Sequence, residues 1–343
     1  MRAHTLAARV KRSQPSTEPD GLAARLGELL VGQPDAIDTI VPYVQMQQAG
    51  LSPEGRPVGV VLLLGSTGTG KTRTVEALAE ILHGSAKNLI RVDCGEFQME
   101  HEVAKLIGAP PGYLGHRETQ PLFTQAKLNA AASEQSDISL VLFDEIEKAA
   151  PSMNRLLLGI LDKATLRLGD NSTVSFERSL IFLTSNLGAR SLQRATMPDF
   201  GFEAMLPPRP LEDTTHLQNI ALSAVRRKFS PEFVNRIDSV ITYKPLDREA
   251  CDAILDQLLE AFGRLIQTRL GFRAFRLQCT AAARKLLLDS GTSLEFGARE
   301  LKRTVQRNFM QPVAALVSRG EIPAGSTVIL DAKSHDFTIL LRY

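Results

Sequence analysis

The sequence predicts an α/β fold, a mostly parallel sheet with helices on both faces, followed by a smaller α+β, mainly helical domain. Three observations carry this. From about Val58 onward, short apolar runs alternate with amphipathic helical stretches. The first run, "VGVVLLLG" (Val58–Gly65), is apolar on both faces, as a strand buried in a parallel sheet must be. After Pro245 the alternation stops, and helical segments dominate up to a closing pair of strands.

The start, "MRAHTLAARVKR", is basic and has no acid until Glu18. That texture suits an organelle transit peptide or a disordered tail, and the following "SQPSTEPD" favours the tail, assigned to residues 1–20. Asp20 is the expected N-cap of a helix over "GLAARLGELL". "TRTVEALAEILHG" puts Val75, Leu78, Ala79 and Leu82 on one helical face, with Gly84 to end it. "NLIRVD", "ISLVLFDE", "SLIFLTSN" and "SVITY" (Ser239–Tyr243) read as further strands, and a helix carrying Met153, Leu157, Ile160 and Leu161 follows the second of these. Together they define a large domain over 21–245. Within it, "MPDFGFEAMLPPRPLEDTT" (Met197–Thr215) is rich in Pro and turn residues and reads as an exposed insertion. In the second domain, 246–343, a long helix is expected over Asp247–Gln267, a short strand in "FRAFRLQ", and helices in "TAAARKLLLD" and "ARELKRTVQRNFMQPVAALVS". "STVILD" and "DFTILLRY" form the closing strand pair.

Composition narrows the function. The 40 basic and 38 acidic residues give a net charge of +2, which argues against a nucleic-acid partner. Cys94, Cys251 and Cys279 are far apart and form no CxxC pair, so a disulfide framework or zinc site is not expected, and a reducing, cytoplasmic setting fits. The longest apolar run, "VVLLL", is too short to span a bilayer, so no membrane partner is expected.

The chemistry starts at "GSTGTGKT", which matches G-x-x-x-x-G-K-[ST] between a buried strand and an amphipathic helix. Gly65, Ser66, Thr67, Gly68, Thr69 and Gly70 would wrap backbone N–H groups around phosphate oxygens, Lys71 would reach the β and γ phosphates, and Thr72 would offer its hydroxyl to Mg²⁺. ATP and Mg²⁺ are therefore the expected cofactors. In "LVLFDEIEK", Asp144 and Glu145 stand at the carboxyl end of a buried strand, where open α/β sheets bind ligands. Asp144 would hold the hydrated Mg²⁺, and Glu145 would polarise the attacking water. Asn186, which ends "LTSN", would orient that water beside the γ-phosphate. Taken alone, each of these also has a plainer reading, as a turn residue or a helix-start acid.

With these residues in view, the chain resembles the C-terminal ATPase module of the Clp AAA+ unfoldases. The matching stretches are "LVGQPDAID", "GSTGTGKT", "HEVAKLIGAPPGYLG", "LFDEIEKA", "LTSNLGA", "FSPEFVNRID" and "FGARELKR", in the family's order and at similar spacing from about residue 22 to the end. The resemblance implies a P-loop AAA+ domain with a C-terminal lid. It implies that Leu30 and Val31 pack on the adenine. Arg236 would be the arginine finger that reaches the γ-phosphate on a neighbouring subunit, and Arg299 a second sensor on the lid. Such a finger implies a ring-shaped homo-oligomer, a hexamer in this family. Tyr113 and Leu114, in "GAPPGYLGH", would grip an unfolded polypeptide in the channel. Phe200, Gly201 and Phe202 match the tip that docks into a Clp-type peptidase, or else fold back on their own subunit.

The departures are also informative. Ser66 stands where the family has Pro, "HRETQPLFTQ" replaces an acidic Gly-rich stretch, and Thr165 and Ser172 replace arginines in a second channel-facing loop, "DKATLRLGDNSTVSF". The leading expectation is an ATP-driven unfoldase or translocase that can feed a peptidase. The alternative is a slow, nucleotide-controlled interaction switch or scaffold without threading.

Overall fold

The structure is a computed structural model and describes residues 19–108, 121–189, 214–292, 297–333 and 336–342. Five strands form the main sheet: β1 (Gly59–Leu64), β2 (Ile90–Asp93), β3 (Ser139–Asp144), β6 (Ser179–Ser185) and β7 (Ser239–Thr242), with β4 (Thr165–Arg167) and β5 (Thr173–Ser175) paired apart from it. Their spatial order is β2-β3-β6-β1-β7, and every pairing is parallel. The three central strands, β3, β6 and β1, are buried along their whole length, as their continuous apolar runs require.

Alternate residues of these strands feed two separate cores. Val60, Leu62 and Leu64 join Val141, Phe143, Ile181 and Leu183 on one face, covered by the helices Pro151–Lys163 and Thr214–Lys228. Val61 and Leu63 join Leu140, Leu142, Leu180 and Phe182 on the other, covered by Pro19–Leu29, Pro34–Gln48 and Lys71–His83. Helices thus cover both faces of the sheet, and sheets of this kind bind ligands at the carboxyl ends of their strands.

The second domain begins with the helix Arg248–Leu270, capped by the Asp247 side chain, which accepts from Ala250 N–H at 2.7 Å. Helices Ala281–Gly291, Ala298–Val305 and Gln311–Ser318 pack with it around a third core. A small sheet closes the domain: β8 (Arg276–Cys279) lies parallel to β9 (Thr327–Lys333), and β10 (Asp336–Arg342) is antiparallel to β9.

Four details differ from the sequence reading. The first helix begins at Pro19, so Asp20 lies inside its first turn instead of capping it. Helix Pro34–Gln48 was not foreseen, because Pro42 sits inside it; Pro34 opens it at a position where a missing N–H costs nothing. The β4–β5 hairpin falls in the stretch read as a loop, and its strands are too short to show a period. The helix expected through "ARELKRTVQRNFMQPVAALVS" widens into a π turn over Gln306–Met310, since Pro312 cannot donate to the carbonyl one turn back.

Candidate nucleotide site

The site is built where β1 ends and the Lys71–His83 helix begins. Between them Gly65, Gly68 and Gly70 take φ of 152°, 80° and 107°. A side chain at Gly65 would put its Cβ 2.9 Å from Tyr243 Cβ, so glycine is a steric requirement there. The buried Tyr243 hydroxyl lies 2.6 Å from Thr74 Oγ1, and Thr74 in turn donates to the Gly70 carbonyl at 3.0 Å. The turn is therefore braced from below.

Lys71 is 8% exposed, and its ammonium donates to the carbonyls of Gly65 (2.7 Å) and Ser66 (2.8 Å) and to Asn186 Oδ1 (2.9 Å). Burial pulls its pKa down to about 8. Glu147, Asp144 and Glu145 oppose that shift, and the Arg299 charge adds to it. Asp144 closes β3. Thr184, on the adjacent β6, donates to one of its carboxylate oxygens, and Arg91, on β2, donates to the other at 2.5 Å.

Glu145 adopts φ 56° and ψ 50°, a left-handed conformation that costs about 1–3 kcal/mol for a residue with a side chain. Its N–H donates to Thr184 Oγ1 at 3.0 Å, which holds the turn. Its carboxylate pairs with Lys148 and accepts from Asn186 Nδ2 at 3.3 Å. Asn186 itself is held by its own N–H, which donates to Glu147 Oε1 at 3.0 Å. A hydrogen-bonded path thus runs from Lys71 through Asn186 to Glu145, across three neighbouring strand ends.

Lys71, Asn186 and Glu145 are thus joined by hydrogen bonds, and Asp144 lies near enough to act on the Lys71 charge. Thr72 is half-buried beside Lys71, Thr69 Oγ1 donates to the Ser66 carbonyl at 2.9 Å, and Thr67 is half-buried in the same turn. Leu30 is buried close to Gly70, and Val31 follows it half-buried. Arg299 is exposed on the Ala298–Val305 helix, whose start sits on the phosphate loop: Ala298 N–H donates to the Gly68 carbonyl at 3.1 Å. A cleft of about 200 Å³ lies between the two domains there, lined by Ser66, Thr69, Leu246, Cys251, Thr292 and Gly297 among others. Arg236 is elsewhere, with its Nε 3.2 Å from Asp162 Oδ1. Tyr113, Leu114 and Phe200–Phe202 lie outside the described residues.

Four contributors were missed. Thr184 carried a signal, being a polar residue in an apolar strand, and Glu147 was a third acid within "DEIEK". Arg91 and Lys148 carried none, because a single Arg or Lys beside a strand end is usually a solvated charge. The donor set fits a nucleotide with a divalent cation: the charges of Glu147, Asp144 and Glu145 act on the buried Lys71 ammonium, and Glu147 Oε2 is buried with no hydrogen-bond partner among the described residues.

Residues 56–240 match the profile of the AAA domain, Cdc48 subfamily. The chain belongs to the AAA family. Residues 246–330 of this AAA chain match the C-terminal, D2-small domain of ClpB protein, so the Clp-type resemblance read from the motifs is borne out. The chaperone protein ClpB of Aquifex aeolicus is 37% identical over 319 residues, covering 93% of this chain and 30% of that protein. ClpB of Rhizobium meliloti is 37% identical over 309 residues, covering 90% and 33%. This AAA chain thus spans about a third of the length of those relatives. A solved closed state of Hsp104 with ATPγS and FITC-casein superposes with a TM-score of 0.78 at 28% identity, over 94% of this chain and 51% of that one.

Proposed function

We propose that this AAA chain binds and hydrolyses ATP in a homo-oligomeric ring, a hexamer, and uses the cycle to unfold or remodel polypeptides in the cytoplasm. The observation that carries the reading is the Lys71–Asn186–Glu145 path at the strand ends, with the second domain seated on the phosphate loop. Its division of labour follows from chemistry. Lys71 and the loop N–H groups bind the phosphates, Asn186 aims a water, and Glu145 accepts its proton. Thr72 and Asp144 would hold Mg²⁺, which neutralises phosphate charge when bound. Leu30 and Val31 would cover the adenine, and Arg299 would tie the second domain to the nucleotide. Arg236, from a neighbour, would complete the site. Domain limits of 21–245 and 246–343 fit this scheme, with 1–20 as a tail.

The resemblance to ClpB and Hsp104 supports a polypeptide substrate, gripped by Tyr113 and Leu114. Phe200–Phe202 would dock a Clp-type peptidase if one is attached. The competing reading is a slow switch that does not thread. The loss of arginines at Thr165 and Ser172, in and beside the β4–β5 hairpin, favours it.

The deciding experiment is light scattering on Glu145→Gln with saturating ATP, with and without a labelled unfolded protein. The variant should bind ATP, hydrolyse it poorly and remain a locked oligomer that holds the labelled chain. A monomer under those conditions refutes the ring. Tyr113→Ala should then keep ATP hydrolysis and lose remodelling. Hydrolysis and remodelling lost together would make Tyr113 structural.

A further inference from the structure

The stretch "GQPD" (Gly32–Asp35) has no role in the nucleotide chemistry described so far, yet its side chains are tightly engaged. Gly32 has φ 75°, and a Cβ there would lie 3.1 Å from Ala250 Cβ and 3.3 Å from Leu246 Cδ2. The chain therefore presses directly on the start of the second domain. Gln33 is 4% exposed. Its Nε2 donates to the Lys244 carbonyl at 2.9 Å and to the Thr69 carbonyl at 3.2 Å, and its Oε1 accepts from Lys244 N–H at 3.2 Å. Both amide hydrogens are used, and the pairing with Lys244 decides which end of the amide is oxygen. Asp35 adds an ion pair with Lys244 Nζ at 3.3 Å.

The two segments joined by this one amide have different jobs. Thr69 belongs to the phosphate loop. Lys244 follows Tyr243, whose N–H donates to Leu64 O at 2.7 Å, and precedes Pro245, where the chain leaves the large domain. If either segment moved alone, a buried polar group would lose its partner, a penalty that opposes independent movement. The contact between Ala298 and Gly68 is a separate connection that does not pass through Gln33.

We infer that Gln33 is a positioning residue that ties the phosphate loop to the linker between the domains, passing a shift of the loop to the second domain. The inference rests on the nucleotide-site reading. The test is hydrogen exchange by mass spectrometry on the full chain with and without ADP, following peptides over the phosphate loop and over Tyr243–Ala250. In the wild type, ADP should slow exchange in the loop and alter it in the linker. Gln33→Met should keep the loop response and lose the linker response. Gln33→Glu, which still accepts from Lys244 N–H but when ionised cannot donate to either carbonyl, should do the same, and it carries the test if the Met variant does not fold.

A linker response of wild-type size in a folded variant overturns the inference, even if exchange without ADP is faster, since that is what a merely structural Gln33 would give. A wild type whose loop responds while its linker does not also overturns it and leaves the nucleotide site standing. A wild type with no loop response to ADP refutes the nucleotide site itself.

Discussion

Lys71 is a cation that the fold both buries and needs, and this sets a pH dependence. Its pKa is lowered from 10.5 to about 8, chiefly by burial. For folding, the unfolded chain holds more protons than the native one between those two values. Stability from this group therefore rises with pH across that window, and the burial penalty is fully present below about pH 8. For binding, the sign is opposite. Phosphate favours the charged ammonium, so above about pH 8 nucleotide binding must take up a proton, and affinity falls as pH rises. Calorimetric titration of ADP at about pH 9 in two buffers of different ionisation heat should reveal that uptake, with affinity falling by up to about tenfold per pH unit. Lys71→Ala should abolish binding, and full ATPase activity in that variant would refute the site. The position of Lys71 was legible because its spacing from Gly65 is fixed by the loop it must close. The partners that keep it charged were less so, since Glu147 reaches it only through the fold.

At the scale of elements, the contact that matters most is between the Ala298–Val305 helix and the phosphate loop. Gly297 has φ 50°, and a Cβ on it would lie 2.8 Å from the Gly68 carbonyl. Gly297→Ala must therefore strain the backbone and push the second domain off the loop. We predict an intact fold by circular dichroism and ADP binding weakened by about tenfold, since roughly 1–3 kcal/mol of local strain opposes closure. Unchanged affinity would mean that the contact is not part of the binding-competent arrangement. The sequence could not place this contact, because it joins residues more than two hundred positions apart through a backbone carbonyl. What it did place were β1, β3 and β6, whose consecutive apolar residues Val60–Leu64, Leu140–Phe143 and Leu180–Leu183 read as strands buried on both faces. The β4–β5 hairpin escaped because three-residue strands have no readable period, and the π turn escaped because its cause, Pro312, lies beyond it.

At the scale of the whole molecule, the role proposed for Arg236 would make hydrolysis depend on more than one chain. Its Nε lies 3.2 Å from Asp162 Oδ1, and both side chains are 36% exposed, so the pair ties Arg236 to its own subunit by at most about 1 kcal/mol. If it serves the next subunit's site, Arg236→Ala should bind ATP normally and lose about 10³–10⁵ in rate. Complementation then separates a trans finger from a cis contact. Lys71→Ala subunits have a dead site and an intact Arg236; Arg236→Ala subunits have the reverse. Each alone should be inactive. Mixed rings, verified by co-migration of one labelled variant with the other, should recover hydrolysis, because the Lys71→Ala neighbour supplies the missing guanidinium to the site that can still bind. A mixed ring that stays inactive would place Arg236 in its own subunit's chemistry, and the threading ring would lose the reason for its assembly.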